Sequence, residues 1–263
     1  MARRIKPLGH DEHLTIVDHL DELRSRIIAS LIAVGIAFAF CAWQSDLILE
    51  ILKEPIGNTL GGKEPVTLGV AEQFTTTLTV SLYAAILIAL PIVLYQAYAF
   101  VLPAFSPNER KVALPLLLMI PVLFTAGVAF CYFVILSPAI DFLLSFNNEQ
   151  FDTQLRAREY FSFVALSMIA MGLLFQVPVG VLAATRLGIV TPTQLRKNRR
   201  YAILGCAVVA ALLPTIDPVT LIFEMVPLII LYEASILLAQ AFGMPATAAE
   251  PAEPPEPAAE GSQ

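Results

Sequence analysis

Six long apolar blocks, separated by short polar stretches, limit what this chain of 263 residues can fold into. They cover about residues 27–43, 74–100, 113–137, 161–184, 201–214 and 219–240. A helix needs about 20 apolar residues to cross the roughly 30 Å hydrocarbon core of a bilayer, and most of the blocks suit that length. The fifth block, about 14 residues, rises only about 21 Å as a helix, so it crosses a thinned bilayer or stops short. We therefore predict an all-α, polytopic membrane protein with six transmembrane helices.

Composition supports this prediction. The chain is 57% hydrophobic and 14% charged, whereas soluble domains carry about 25% charged residues. Cys41, Cys131 and Cys206 each lie alone in a different apolar block, which is typical of small packing residues. The polar segment before the first block lacks the pattern of a cleaved signal peptide, so we interpret that block as a retained span.

The distribution of basic residues predicts the orientation, because lysine and arginine concentrate in cytoplasmic segments. The N-terminus and the second and fourth loops together hold 12 of the 16 lysines and arginines. We therefore place these segments and both chain ends in the cytoplasm. The fourth-loop basic cluster, residues 196–200, needs no role beyond this rule.

The chain divides into three parts. Residues 1–26 are predicted to form a cytoplasmic N-terminal amphipathic helix, 27–240 the transmembrane domain, and 241–263 a disordered tail rich in Ala, Pro and Glu. The long first external loop is predicted to form a structured cap with a short helix around residues 47–53. Prolines inside the spans favour bent helices and a concave molecule; they are Pro91, Pro115, Pro121, Pro178 and Pro227.

Glu22 is the first candidate for binding a cation. It lies four residues before Arg26 on one face of the predicted N-terminal helix. Spacing alone favours an internal pair between the two over a carboxylate offered to an external cation, and both interpretations stay open at this point.

Glu109 is the only acid in the second cytoplasmic loop. Ser106, Pro107 and Glu109 also form a helix-start pattern of cap, first residue and third residue, so capping is the alternative role. Topology puts Glu109 on the same side of the membrane as Glu22. Two carboxylates there could hold two guanidinium groups through charge-assisted hydrogen bonds.

Few other polar residues lie within the spans. Gln176 in the fourth span either joins helices or serves function, and Glu224 and Glu233 are acids of the sixth. A small-solute or ion transporter is the alternative function, but this set of polar residues is small for an ion path. No nucleophile–base pair, zinc motif or phosphate-binding loop is visible, and we predict neither enzyme activity nor a cofactor.

Several motifs occur in a fixed order from about His19 to Gln240. They are His19-Leu20-Asp21-Glu22-Leu23-Arg24-Ser25-Arg26; Pro91-Ile92-Val93-Leu94-Tyr95-Gln96-Ala97-Tyr98-Ala99-Phe100 with Pro103 and Glu109-Arg110; Phe175-Gln176-Val177-Pro178; Leu195-Arg196-Lys197-Asn198-Arg199-Arg200-Tyr201; Asp217-Pro218; and Pro227 with Leu231-Tyr232-Glu233. With six spans, this set resembles the TatC family, the receptor subunit of the twin-arginine protein translocase.

The resemblance implies a glove-like arrangement of six helices with short fifth and sixth helices. It also implies a function: binding the Arg-Arg signal peptide of folded precursors and, with TatB- and TatA-type single-span subunits, organising their export by the proton motive force. Self-association and a location in the cytoplasmic (inner) membrane of a prokaryote follow from the same resemblance.

The resemblance also assigns residues. Glu22 and Glu109 match the family's two signal-peptide carboxylates, and Phe100 and Pro91 match residues linked to that function. The other matching positions are Pro55 in the first external loop, Asp217 in the last external turn, and Gln176 at the in-membrane polar position. Leu213 and Leu221 stand where relatives often have Thr and Gln, at positions tied to contact with the single-span partners.

Overall fold

A computed structural model describes residues 16–57, 64–101, 107–146, 154–186, 188–211 and 218–242. The side chains of residues 16–18, 107–116 and 242 lie outside this description. So does the tail predicted to be disordered, from residue 243 onward. The described residues are helical apart from short turns and one isolated β-bridge.

Ten α-helices make up the described chain. They are α1 Ile16–Trp43, α2 Ser45–Lys53, α3 Glu72–Val101, α4 Pro107–Phe130, α5 Leu136–Ser145, α6 Ala157–Leu174, α7 Val177–Arg186, α8 Pro192–Lys197, α9 Arg199–Ala211 and α10 Pro218–Phe242. A 3₁₀ turn, Glu54–Ile56, follows α2, and a π-helical turn, Cys131–Ile135, joins α4 to α5.

Within the described residues, five segments are long and apolar enough to cross a bilayer. They are His19–Trp43, Glu72–Val101, Leu117–Ser145, Ala157–Arg186 and Pro218–Ala241. The remaining predicted span is α9, whose 13 residues rise only about 20 Å. The last of the five, at 24 residues, is the shortest. The predicted all-α membrane fold with a short fifth helix is confirmed.

Two spans differ from their apolar blocks. The third continues past residue 137, where the apolar block ends, and reaches Ser145 through the π-helical turn. Hydropathy misses this extension because Asp141 interrupts the apolar run. The fourth span is interrupted, rather than only kinked at its proline, since α6 ends at Leu174 and α7 begins at Val177. Pro178 is then the second residue of α7, where a missing N–H costs little.

Small residues let the helices approach closely. The α1–α3 contact is built around Ala37, Cys41, Ala84, Ala85 and Ala89, all buried. Close packing through small side chains is typical of membrane helices. Inside lipid the hydrophobic effect does not drive helices together, so they associate through van der Waals contact.

The bundle has two ends. We call the end where α1 begins the N-terminal end; α3 and α7 finish there, and α8 lies there. We call the opposite end the cap end, because α2 and the 3₁₀ turn cover it. Tyr132 and Tyr160 fix this cap to α4–α6: the Tyr160 hydroxyl, buried, donates to the Leu52 carbonyl at 2.8 Å, and the Tyr132 hydroxyl lies 2.8 Å from both the Ile51 carbonyl and the Glu54 carboxylate.

Candidate functional site

The candidate site begins on the first turns of α1, at the N-terminal end. Here α1 packs against α3 and against few other described elements. The position of any side chain on this part of α1 therefore depends on α3.

Glu22 and Arg26 form the ion pair that their spacing predicts. Two of the Arg26 nitrogens donate to the same carboxylate oxygen, Oε1, with Nη2 at 2.5 Å and Nε at 3.0 Å. The Glu22 side chain keeps 29% of its surface exposed and the Arg26 side chain 24%. The pair is therefore only partly shielded, and Glu22 remains accessible from outside.

Gln96 connects this pair to α3. Its side-chain carbonyl oxygen accepts a hydrogen bond of 3.1 Å from Arg26 Nη1. One guanidinium thus bridges a carboxylate on its own helix and an amide on the neighbouring one.

A second contact between α1 and α3 lies nearer the start of α1 and the end of α3. The rings of His19 and Phe100 stack with centroids 4.2 Å apart and planes 16° from parallel. Glu22 sits along α1 between this stack and the Arg26–Gln96 hydrogen bond. We call these two contacts, the His19–Phe100 stack and the Arg26–Gln96 hydrogen bond, the frame around Glu22. Phe100, a predicted site residue, belongs to it.

An apolar groove of about 510 Å³ runs from this frame along the α1–α3 seam. Most of its lining is apolar, and its polar members are Arg26, Ser30 and Gln96. Glu22 is not among the lining residues, but its carboxylate is paired with Arg26, which is. A carboxylate beside an apolar groove suits a ligand with a cationic segment followed by an apolar one.

Glu109 is the third residue of α4, which begins at Pro107 as its helix-start pattern predicts. Its side chain lies outside the described part of the chain. Its separation from Glu22 therefore stays a prediction.

Pro91 lies inside α3, in the wall of an apolar cavity of about 370 Å³. The cavity is open on one side and is lined by α2, α3, α4 and α6, with Ile51, Phe124 and Met168 among its lining residues. Thr125 is the only lining side chain that carries a polar group.

Gln176 lies at the break between α6 and α7. Its side-chain amide donates to the Ile120 carbonyl of α4 at 3.2 Å. This bond joins two helices, which is one of the two roles that the sequence left open.

The sixth-span residues are placed on α10. Glu224 is 1% exposed and so faces protein rather than lipid, as expected for an acid at this depth. Leu221 is partly buried nearly one turn earlier. Leu213 and Asp217 lie outside the described residues.

The cap end holds an ion pair that the sequence did not point out. Glu72, at the start of α3, accepts a 2.7 Å hydrogen bond from Arg156 Nε on one oxygen. Its other oxygen accepts from the backbone N–H groups of Leu68 and Gly69 at 2.8 and 3.0 Å. The hydrogen bond that Arg156 donates to Glu72 raises the pKa of Arg156 above its ordinary value. The sequence offered one signal for this pair, namely opposite charges in two segments on the same side of the predicted bundle. Which of those charges meet depends on the tertiary structure.

A backbone bridge reinforces this pair. Val66 N–H donates to the Leu155 carbonyl at 2.8 Å, and Ala157 N–H donates to the Val66 carbonyl at 2.9 Å. Pro55, a predicted site residue, is buried nearby in the 3₁₀ turn of the cap. The described parts of the loops that precede α3 and α6 are therefore joined at the cap end.

At the N-terminal end, two arginines of the fourth-loop cluster hold α10. Arg199 pairs with Glu233 at 2.7 Å, and Arg196 donates to the Gln240 side chain at 2.7 Å. The cluster therefore has a structural role beyond orientation. Glu233 is reached from α9, so the last two helices are tied together at this end.

The helices and their two differently built ends define a polytopic helical membrane protein with a partly exposed carboxylate at one end. A family model described as Sec-independent protein translocase protein (TatC) matches residues 18–227. The chain belongs to the TatC family, whose members are components of a protein translocase, so it functions in protein transport within a membrane.

Individual relatives agree with this assignment. The chain is 34% identical to the TatC protein of Desulforapulum autotrophicum over 89% of this chain and 87% of that one. It is 36% identical to the TatC protein of Carboxydothermus hydrogenoformans, over 88% and 94%, and 38% identical to the chloroplastic TATC protein of Arabidopsis thaliana, over 87% and 67%. A crystal structure of the twin-arginine translocase receptor TatC matches with a TM-score of 0.75 at 36% identity, over 84% of this chain and 98% of that one.

Proposed function

We propose that this chain is the signal-peptide receptor of its translocase and binds the Arg-Arg motif of folded precursors through Glu22 and Glu109. The observation that carries the proposal is Glu22: a partly exposed carboxylate, framed by Phe100 and Gln96 of α3 and next to an apolar groove. A guanidinium offers a planar set of donors to a carboxylate, which an ammonium lacks, so arginine is favoured over lysine.

The remaining assignments belong to the same proposal. TatB- and TatA-type single-span subunits bind near Leu213 and Leu221, and the proton motive force drives export. Five further residues support the function. Pro91 acts from the cavity wall, Pro55 and Asp217 act from the external loops, and Gln176 and Glu224 act from within the spans. The protein self-associates and lies in the cytoplasmic membrane of a prokaryote with both ends in the cytoplasm.

Photo-crosslinking tests the receptor assignment. A peptide carrying the Arg-Arg motif and a photoreactive group is offered to membranes containing the wild type, Glu22→Ala or Glu109→Ala. Each variant removes one carboxylate, so crosslinks to each are expected to fall about tenfold or more, as for the loss of one charge-assisted hydrogen-bonded contact.

Asp21→Ala is the matched control, because Asp21 is an exposed acid next to Glu22 on the same helix. It removes the same charge and should leave crosslinking near the wild-type level. Equal losses in Asp21→Ala and Glu22→Ala would show a general charge effect. Unchanged crosslinking in both Glu22→Ala and Glu109→Ala would refute the two-carboxylate site.

A further inference from the structure

Gln96 has a place in the frame around Glu22 that the proposed function does not account for. It lies on α3, and among the described residues its hydrogen bond to the candidate site is the one to the Arg26 guanidinium. We infer that Gln96 is a positioning residue, which orients the Glu22 carboxylate for an incoming arginine by holding Arg26. This inference rests on the proposed function of Glu22.

The use of the two carboxylate oxygens supports this role. Arg26 directs both Nε and Nη2 to Oε1 of Glu22. A carboxylate oxygen has two lone pairs, so these two donors saturate Oε1. Among the residues that the structure describes, no donor contacts Oε2. Arg26 therefore fixes the carboxylate at one oxygen and leaves the other for an external guanidinium.

Arg26 by itself cannot fix Glu22 relative to the rest of the molecule. Both residues belong to α1 and are four apart, so their pair moves with that helix. A partly exposed pair of this kind contributes little and exchanges with solvent partners. Gln96 supplies the fixed point, because its oxygen holds the third donor nitrogen, Nη1, from the neighbouring helix.

The chemistry of glutamine suits this role. Its amide oxygen accepts from Arg26 without carrying charge, so the guanidinium keeps its full charge for Glu22. A carboxylate at the same place would compete with Glu22 for Arg26. The His19–Phe100 stack restrains the same two helices one turn further out, so Glu22 is held between two contacts.

The experiment measures apparent affinity by photo-crosslinking across a concentration series of the Arg-Arg peptide and of its Lys-Lys counterpart. The full chain is used in native membranes as wild type, Gln96→Ala, Arg26→Ala and the double variant. Loss of the anchor is expected to weaken Arg-Arg binding by about 5- to 10-fold in Gln96→Ala, the effect of one hydrogen bond to a charged group.

Two readouts separate positioning from a loss of stability. A carboxylate that is free to turn accepts an ammonium about as well as a guanidinium, so the preference for Arg-Arg over Lys-Lys should fall about threefold or more in Gln96→Ala. A smaller fraction of folded protein lowers the crosslinking of both peptides equally and leaves the ratio of their affinities unchanged. The double variant should bind like Arg26→Ala alone, because Gln96 acts through Arg26.

Gln73→Ala is the matched control, since it makes the same substitution on α3 at the cap end, where the side chain is exposed. It should retain both affinity and preference. Gln96→Ala behaving like Gln73→Ala while Glu22→Ala loses binding would overturn the positioning role and leave the receptor proposal standing. Tighter binding by Arg26→Ala would overturn it as well, since Arg26 would then be a competitor. If Glu22→Ala also binds normally, Glu22 does not hold the peptide and the positioning role fails, whereas the receptor proposal fails only if Glu109→Ala binds normally as well.

Discussion

At the residue scale, two of the ion pairs, one at each end of the bundle, differ in how far apart their members lie in sequence. Glu22 and Arg26 are four residues apart on one helix, and both side chains remain partly exposed. Glu72 and Arg156 come from different loops, and the Glu72 side chain is only 6% exposed. Removing one member of a shielded pair leaves a desolvated charge without its partner, so the second pair matters more for stability.

Arg156→Ala is accordingly expected to destabilise the protein, because Glu72 loses its cationic partner and the starts of α3 and α6 lose a side-chain connection. The apparent melting temperature of the purified protein in detergent should fall by a few degrees. Arg158→Ala, which removes an exposed arginine two residues further on, is the control and should melt like the wild type. Equal decreases in both variants would show that overall charge, rather than the Glu72 contact, sets the effect.

At the element scale, the α4–α6 crossing depends on a glycine. A Cβ at Gly127 would lie 2.7 Å from Phe175 Cγ and 2.9 Å from the Met171 carbonyl oxygen. The second of these atoms belongs to the backbone, so a side-chain rotation cannot relieve the overlap. The two helices would have to separate at the wall of the apolar cavity.

Gly127→Ala should therefore lower the free energy of unfolding by about 1–3 kcal/mol, the usual effect of overpacking. Gly180→Ala on α7 is the matched control, since nothing lies within 4 Å of a Cβ there. It should be neutral or stabilise by up to about 1 kcal/mol, because alanine favours helix over glycine. Denaturant titration in detergent measures both changes, and a stable Gly127→Ala protein would contradict the tight crossing.

At the scale of the whole molecule, the two ends are held by different interactions. Two arginines tie α8 and α9 to α10 at the N-terminal end, whereas tyrosines, a backbone bridge and the Glu72–Arg156 pair close the cap end. The basic N-terminal end is the one we propose to face the cytoplasm, by the positive-inside rule.

Labelling of introduced cysteines tests this orientation. Asn198→Cys, between α8 and α9, should react with a membrane-impermeant thiol reagent only after the cells are opened. Leu68→Cys, exposed in the first external loop, should react in intact cells. The parent chain is the control, because its three cysteines lie within helices. Reversed labelling would contradict the proposed topology.

Much of this architecture could be predicted from sequence, because the bilayer makes hydropathy a direct readout of span number. The helical start of α4 at Pro107, the short helix of the cap and the short α9 were predicted for local reasons: helix-start residues, helical spacing and apolar length. The Glu22–Arg26 pair was equally predictable, since i,i+4 residues share a helix face.

Only the tertiary structure could bring Gln96 to Arg26, Phe100 to His19 and Arg156 to Glu72. Each of these contacts joins residues 70 or more positions apart, and no local pattern encodes such a distance. The extension of the third span and the break before Val177 were missed for a related reason. Hydropathy registers how apolar a segment is, whereas packing decides where its backbone turns. The apolar blocks place this chain in a membrane and locate its long helices, because the bilayer sets the length of apolar chain that a span needs. The packing of α1 against α3 decides how the candidate carboxylate is held.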